Sequence, residues 1–304
     1  MNDSTSIRSD FVMQSKTNAE LMPAPSRARR VWRAAHLGMC FGVRDAIALA
    51  LEKAAEKPLT ILGELVHNES VVAGLRARGI ESEDQVANIR TGAVMITAHG
   101  ASEKAMQKAQ ARGLEVFEAT CPLVHHAHRA VARLVAEGWH PVIIGKRGHV
   151  EVRGLTEDLE AFDIVLTEED VAQLAPRPRF GIAAQTTQPI DRVRHLVDLI
   201  SRRFPDSRVQ FVDTVCQPTK QRQAAAVDVA RASDAVVVVG GQHSNNTREL
   251  VASCRRHCPR VFHVQAAADL RPEWFDGAAT IGLTAGTSTP DAVIDEVERW
   301  LEAL

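Results

Sequence analysis

Residues 116–124 read VFEATCPLV, and two related stretches, AHLGMCFGV at 35–43 and FVDTVCQPT at 211–219, lie on either side of them in the chain. Each stretch carries apolar residues up to a single cysteine, and a helix-like segment follows that cysteine. The three cysteines are Cys40, Cys121 and Cys216. Because similar stretches recur once in each third of the chain, they predict three copies of one structural unit.

Each third also carries two polar loops that follow strand-like runs. The first loops read LVHNES, GHVEVRG and HSNNTRE, and their leading residues follow the cysteines by 27, 28 and 28 positions. These leading residues are His67, His149 and Ser244. The second loops read TAHGAS, AAQTTQP and TAGTSTP. They centre on His99, Thr186 and Ser288. The nearly constant offset supports a threefold repeat.

The pattern along the chain is that of an α/β protein with parallel sheets. Short β-branched runs such as LTIL, AVMI, PVIIG, RFGIAA, AVVVVG and TIGLTA alternate with segments of helical spacing such as VRDAIALALEKAAE, EKAMQKAQARG and PDAVIDEVERWLEAL. We expect α/β units at 31–120, 121–215 and 216–304, with an opening strand that can pair with the third unit. Residues 1–30 lack a seven-residue apolar core and predict a disordered tail rather than a secretory signal.

The composition excludes several classes of protein. The 304 residues are 45% hydrophobic and 24% charged with a net charge of -2, and aromatic residues make up 4% with no tyrosine. A nucleic-acid surface needs a basic stripe with interleaved aromatic residues, so we expect no nucleic-acid partner. No apolar run approaches the length of a membrane helix, which predicts no membrane partner. Five cysteines, an odd number, predict thiol or metal chemistry in a reducing compartment such as the cytoplasm.

The three repeated cysteines predict a metal centre. In α/β sheets ligands bind beyond the carboxyl ends of the strands, so three related units would direct three cysteines to one cavity. A helix N-terminus favours the thiolate form, and thiolates are soft metal ligands. Three of them leave one corner open on a zinc ion or one iron of a [4Fe–4S] cluster. Cys254 and Cys258 have no counterparts in the repeat and are interpreted as packing or surface residues.

The polar loops predict an anion site. They supply His67, His99, His149, Thr186, Ser244, Asn245, Asn246 and Ser288, and such groups near helix N-termini bind phosphate, with histidine adding charge when it is protonated. No GxxxxGK[ST] or GxGxxG motif is present, so a small phosphorylated ligand fits better than a nucleotide. Glu151, the carboxylate within the second unit's first loop, is the candidate proton donor, because nearby anionic groups would keep it protonated. An exposed salt bridge is the alternative interpretation of Glu151.

Nine motifs in order make the sequence resemble the 4-hydroxy-3-methylbut-2-enyl diphosphate reductase family over nearly residues 31–304. They are GMCFGV, HN, AHG, ATCPLV, GHVEVRG, QTT, a C-x-x-T-x-x-RQ pattern, SNN and TAGTSTP. One departure is Asn245, where a second serine is usual.

The resemblance implies a trefoil of three α/β units around a [4Fe–4S] cluster held by Cys40, Cys121 and Cys216. The eight loop residues named above would bind the diphosphate and position the substrate, and Glu151 would relay protons. The implied reaction reduces the allylic alcohol to isopentenyl or dimethylallyl diphosphate, with electrons from ferredoxin or flavodoxin. Alternatives are a divergent paralogue acting on a related allylic diphosphate, a zinc-dependent hydrolase of a phosphorylated substrate, and a non-catalytic iron–sulfur sensor.

Overall fold

The computed structural model describes residues 29–304. Residues 1–28 of the predicted disordered tail lie outside this range. The prediction is wrong at its end, because Arg30 already begins the first strand. No helix in the described part of the chain is long and apolar enough to cross a membrane.

The chain alternates strands and helices throughout. The strands are β1 (Arg30–Arg33), β2 (Leu59–Leu62), β3 (Glu81–Glu83), β4 (Ala93–Ile96), β5 (Glu115–Glu118), β6 (His140–Ile144), β7 (Asp163–Val165), β8 (Arg179–Ala184), β9 (Arg208–Phe211), β10 (Ala235–Val239), β11 (Val261–Val264) and β12 (Thr280–Ala285). The α-helices are α1 (Phe41–Glu56), α2 (Glu69–Arg76), α3 (Glu103–Ala111), α4 (Pro122–Ala136), α5 (Val150–Thr156), α6 (Glu168–Gln173), α7 (Ile190–Arg203), α8 (Gln217–Arg231), α9 (Asn245–Arg255) and α10 (Asp291–Glu302). The predicted α/β fold is confirmed.

The strands form three parallel four-stranded sheets with one shared topology. Their strand orders are β3-β2-β4-β5, β7-β6-β8-β9 and β11-β10-β12-β1. In the third sheet β1 takes the edge position that β5 and β9 take in the other two, and it pairs in parallel with β12 from Arg30↔Thr280 to Arg33↔Leu283. The first strand of the chain therefore completes the sheet formed by its last third.

The central strands are buried because helices cover both faces of each sheet. In β10 all five residues are buried. Val237 and Val239 pack into one apolar cluster with α10, whereas Val236 and Val238 pack into a second cluster with α8 and α9. This alternation follows from the two-residue period of a strand. It explains why an uninterrupted apolar run forms a strand here.

The helices that follow the three cysteines connect neighbouring units. The chain leaves β1, in the third sheet, and enters α1, which packs against β2 of the first sheet. In the same way α4 leads from β5 to the second sheet, and α8 leads from β9 to the third. Each cysteine therefore lies where the chain passes from one sheet to the next.

Candidate active site

The three cysteines and the six loop positions all lie just beyond the carboxyl ends of strands. Cys40, Cys121 and Cys216 follow the edge strands β1, β5 and β9. The first loops follow β2, β6 and β10, and the second loops follow β4, β8 and β12. Since the strands of each sheet are parallel, every sheet carries one cysteine and two polar loops at a single edge.

The three cysteines line one cavity together with Glu151 and Arg222. Each cysteine directly precedes the first turn of its helix, and none caps that helix with its side chain. A Cβ at Gly42 would come within 2.8 Å of Cys121 Sγ. Because Gly42 is two residues from Cys40, the beginning of α1 packs directly on the second cysteine.

Burial opposes the effect of the helix N-terminus at two of the cysteines. It raises the pKa of Cys121 and of Cys216 above the ordinary value of a thiol. The backbone N–H groups of Leu123 and Val124 oppose this rise at Cys121, and Thr219, whose Oγ1 lies 3.1 Å from the sulfur, opposes it at Cys216. The helix N-termini therefore act in the predicted direction on both thiols, but burial outweighs them.

Glu151 is a buried carboxyl group in the wall of the cysteine cavity. It lies in the first turn of α5, and 1% of its surface is exposed. Its Oε1 accepts a hydrogen bond of 2.6 Å from the backbone N–H of Thr186. Burial raises the pKa of Glu151 to about 7, although the hydrogen bonds from Thr186 oppose the rise. The structure therefore excludes the exposed salt bridge, and burial is the main cause of the raised pKa of this carboxyl.

A cluster of three histidines lies beside the cysteine cavity. The ring centroids are 5.8 Å apart for His67 and His99, 5.5 Å for His67 and His149, and 5.3 Å for His99 and His149. One nitrogen of each ring lies within 4.8 Å of the others, so the group could hold a metal ion. His67 and His149 come from first loops and His99 from a second loop, and all three follow strands of the first two sheets.

The hydrogen bonding of His149 favours an anion over a metal ion at this cluster. Its Nδ1 accepts a hydrogen bond of 3.1 Å from the backbone N–H of Glu151 and thereby caps α5. A neutral imidazole that accepts at Nδ1 carries its proton on Nε2. His149 therefore presents an N–H donor to the cavity, which suits a phosphate oxygen.

Two of the histidines are uncharged in the ligand-free protein. Burial, together with the neighbouring histidine rings, lowers the pKa of His99 to about 4 and that of His149 to about 2. The expectation that histidine adds positive charge therefore does not hold for these two rings before a ligand binds. A negatively charged ligand would raise both pKa values.

Polar groups of the third unit complete a second cavity that adjoins the first. Its lining residues include Ser244, Asn245, Asn246 and Ser288 together with the three histidines. Asn245 Nδ2, Asn246 Nδ2 and Ser288 Oγ are buried and have no hydrogen-bond partner in the described part of the protein. Asn246 Oδ1 accepts a hydrogen bond of 3.0 Å from the backbone N–H of Thr287, which orients the side chain. Buried polar atoms without partners point to an absent ligand.

All twelve residues of the predicted site line one or other of these cavities. Thr186 lies in the cysteine cavity beside Glu151, and His99 lines both cavities. Ser244 has its Oγ occupied, since it accepts a hydrogen bond from Thr247 N as the N-cap of α9.

The second cavity measures about 30 Å³. Ligand pockets usually measure roughly 300–1,000 Å³, so a ligand can enter only if the wall moves.

Sequence reasoning missed Arg222 and Thr219, which line the cysteine cavity from α8. Both belong to the C-x-x-T-x-x-RQ pattern, but the pattern alone assigns them no role. They come three and six residues after Cys216, which places them near the same side of a helix. That helical spacing was the signal that could have identified them.

A family model described as LytB protein matches residues 31–302, which include every residue of the two cavities. The chain belongs to the LytB family. The resemblance found in the sequence is confirmed, because relatives of the chain carry the name of the family that its motifs resemble.

Two bacterial relatives illustrate this similarity. A protein of Anaeromyxobacter sp. (strain Fw109-5) is 39% identical over 270 residues, which cover 88% of this chain and 95% of that protein. A protein of Methylibium petroleiphilum is 40% identical over 274 residues, which cover 88% of this chain and 83% of that protein. Both are named 4-hydroxy-3-methylbut-2-enyl diphosphate reductase.

Solved structures share the fold of this LytB chain. The E-1-hydroxy-2-methyl-but-2-enyl-4-diphosphate reductase of Plasmodium falciparum superposes with a TM-score of 0.83 at 26% identity, covering 89% of this chain and 87% of that one. A second reductase, described as the terminal enzyme of the non-mevalonate pathway, has a TM-score of 0.65 at 33% identity and covers 91% of this chain and 100% of that one.

Proposed function

We propose that this chain is a 4-hydroxy-3-methylbut-2-enyl diphosphate reductase. It would convert its substrate to isopentenyl or dimethylallyl diphosphate by reductive removal of the hydroxyl group. The observation that carries the proposal is the position of Glu151, buried in a cavity with three cysteines and next to a cavity lined by unpartnered donors.

The cysteine cavity fits an iron–sulfur cluster. Cys40, Cys121 and Cys216 are free thiols that come from three different helix N-termini and line one space. Gly42 leaves room beside Cys121, because any larger residue would collide with its sulfur. Three thiolates on a [4Fe–4S] cluster leave one iron without a protein ligand. When bound, such a cluster supplies single electrons and a Lewis-acidic iron.

The second cavity suits the diphosphate group. His149 offers Nε2–H, Asn245 and Asn246 offer amide N–H groups, and Ser288 offers a hydroxyl. These donors lie next to the N-terminus of α9, where the helix dipole favours an anion. Bound oxygens would satisfy groups that are otherwise buried without partners. This gain supports binding without a lysine or arginine in the cavity wall.

Glu151 would supply a proton to the departing hydroxyl group. Its pKa of about 7 leaves a large fraction protonated at neutral pH, as a general acid requires. The C–O bond breaks, and the oxygen leaves as water. Two electrons and two protons enter the reaction, one proton to the oxygen and one to carbon. The proposal includes ferredoxin or flavodoxin as the electron donor and the cytoplasm as the location.

An anaerobic preparation tests the proposal. We expect about four irons and four sulfides per chain, a broad visible absorption, and formation of the two products when dithionite with a viologen mediator is the reductant. A colourless protein with one zinc ion per chain would overturn the proposal in favour of a hydrolase. An iron–sulfur protein that reduces only another allylic diphosphate would indicate a divergent paralogue and would also overturn it.

A further inference from the structure

Arg222 is a buried cation in the wall of the cysteine cavity. It lies in α8, and 4% of its surface is exposed. No carboxylate in residues 29–304 forms an ion pair with it. Burying an unpaired charge is strongly unfavourable. The position therefore requires a source of negative charge.

The hydrogen bonds of Arg222 connect two of the three cysteine-bearing segments. Its Nη2 donates to Gly38 O at 2.8 Å, in the loop before Cys40, and its Nη1 donates to Pro218 O at 3.3 Å, just after Cys216. Its Nε is buried and has no partner among the described residues. Two neutral carbonyl groups hold the guanidinium in place but do not neutralise its charge.

The cysteines are the groups that can supply this negative charge, because they bind metal as thiolates and Arg222 lines the same cavity as all three of them. A [4Fe–4S] cluster on three thiolates carries net negative charge, and each added electron increases it. A fixed positive charge in a buried site stabilises the more negative state more strongly.

We infer that Arg222 is the counter-cation of the cysteine cavity: its guanidinium compensates the negative charge of the bound iron–sulfur group and raises that group's reduction potential. This inference rests on the proposed function. Arg222 is then a positioning residue, because it acts on the bound group through the thiolates and does not touch the substrate.

Redox titration of the anaerobic holoprotein tests the effect on potential. Arg222→Met removes the charge but retains an unbranched side chain, and we expect the ratio of reduced to oxidised cluster at a fixed potential to fall at least tenfold, equivalent to about 59 mV for one electron. Arg222→Lys retains the charge and should keep this ratio within about threefold of wild type. An unchanged potential in iron-loaded Arg222→Met would overturn the inference.

Arg260→Met is the matched control. Arg260 also donates to two backbone carbonyls, those of Trp274 and Asp276, but it precedes β11 at the opposite edge of the third sheet. We expect its substitution to leave the potential unchanged. A shift as large as that of Arg222→Met would mean that any disturbance of the third unit alters the cluster, and it would overturn the inference.

Thermal unfolding of the iron-free proteins provides a second test, which remains valid if Arg222→Met retains no cluster. Without the cluster the cation is uncompensated, so iron-free Arg222→Met should unfold at the same temperature as iron-free wild type or higher. A clear decrease in Tm would make Arg222 a purely structural clamp and would overturn the inference. Absence of iron in the wild-type protein would contradict the proposed function separately, and this comparison would still test Arg222.

Discussion

The five cysteines fall into two groups whose surroundings differ. Cys254 and Cys258 lie in the apolar core of the third unit, 0% and 1% exposed. Their sulfurs contact backbone carbonyl oxygens at 3.6–3.7 Å, and burial raises the pKa of Cys254 to about 12. Cys40, Cys121 and Cys216 lie instead at the carboxyl edges of three sheets and face a shared cavity.

The same contrast extends to other polar groups. In the core beneath the sheet edges, Thr289 Oγ1 donates to Val239 O at 3.1 Å. At the edge, the neighbouring Ser288 has a buried hydroxyl that finds no hydrogen-bond partner in the described part of the chain. The fold itself satisfies the Thr289 hydroxyl, whereas the Ser288 hydroxyl is available to a ligand. Two adjacent hydroxyl residues therefore differ in role because of their surroundings.

Substitution of one cysteine from each group should give the largest difference. Cys121→Ser replaces a soft ligand by a hard one, so we expect loss of most iron from the anaerobic protein. Cys258→Ala should retain wild-type iron and lose only modest stability, because it removes a small apolar contact. Iron and sulfide analysis of both variants tests whether Cys121, but not Cys258, binds the cluster. Full iron in Cys121→Ser would contradict the assigned metal ligand.

Glu151→Gln should reduce turnover, whereas a substitution at the other end of α5 should not. Turnover should fall about a hundredfold or more with iron content unchanged, because only the proton source is lost. Glu157→Gln, at the exposed C-terminal end of the same helix, is the control and should retain wild-type turnover. Steady-state rates measured with dithionite test both variants. Wild-type turnover in Glu151→Gln would remove this residue from the mechanism.

The adjacent residues Ser288 and Thr289 should respond in opposite ways. Ser288→Ala removes a hydroxyl that bonds nothing in the free protein, so it should leave Tm nearly unchanged and weaken substrate binding about tenfold. Thr289→Val should leave the affinity unchanged but lower the free energy of unfolding by about 1 kcal/mol. Calorimetric binding and thermal denaturation provide the two readouts. Equal effects on affinity would show that the two positions do not differ.

The smallest expected effect is proton uptake on diphosphate binding. His99 and His149 are neutral when free, since their pKa values are about 4 and about 2. A bound anion raises both pKa values, so the protein should gain as much as about one proton when the diphosphate binds. The affinity should therefore weaken as the pH rises. Calorimetry in buffers of different ionisation enthalpy measures the uptake. His195→Asn, at an exposed histidine paired with Glu168, should leave it unchanged. No uptake at pH 6 would argue against contact between these rings and the diphosphate.

The central strands of each sheet were predictable from the sequence, but the edge strands were not. β2, β4, β6, β8, β10 and β12 are apolar runs because both faces of each strand are buried. Edge strands such as β3 (ESE) and β1 (RVWR) carry charged residues, because one side of an edge strand remains open to solvent. The sequence allowed an opening strand to pair with the third unit, but only the folded chain identifies β1 as that strand and gives its register with β12, since strand pairing joins residues distant in sequence.

The sequence by itself determined the three units, their cysteines and the loop residues, because a repeated unit places the same positions at the same edge of every sheet. The tertiary structure decided the protonation states. Burial raises the pKa of Glu151 to about 7 and raises that of two thiols, although the sequence predicts thiolates at helix N-termini. Among residues 29–304 it also decided which buried polar atoms lack partners and left Arg222 without a carboxylate partner. Desolvation and hydrogen bonding depend on every group packed around an atom, and local sequence does not specify those groups.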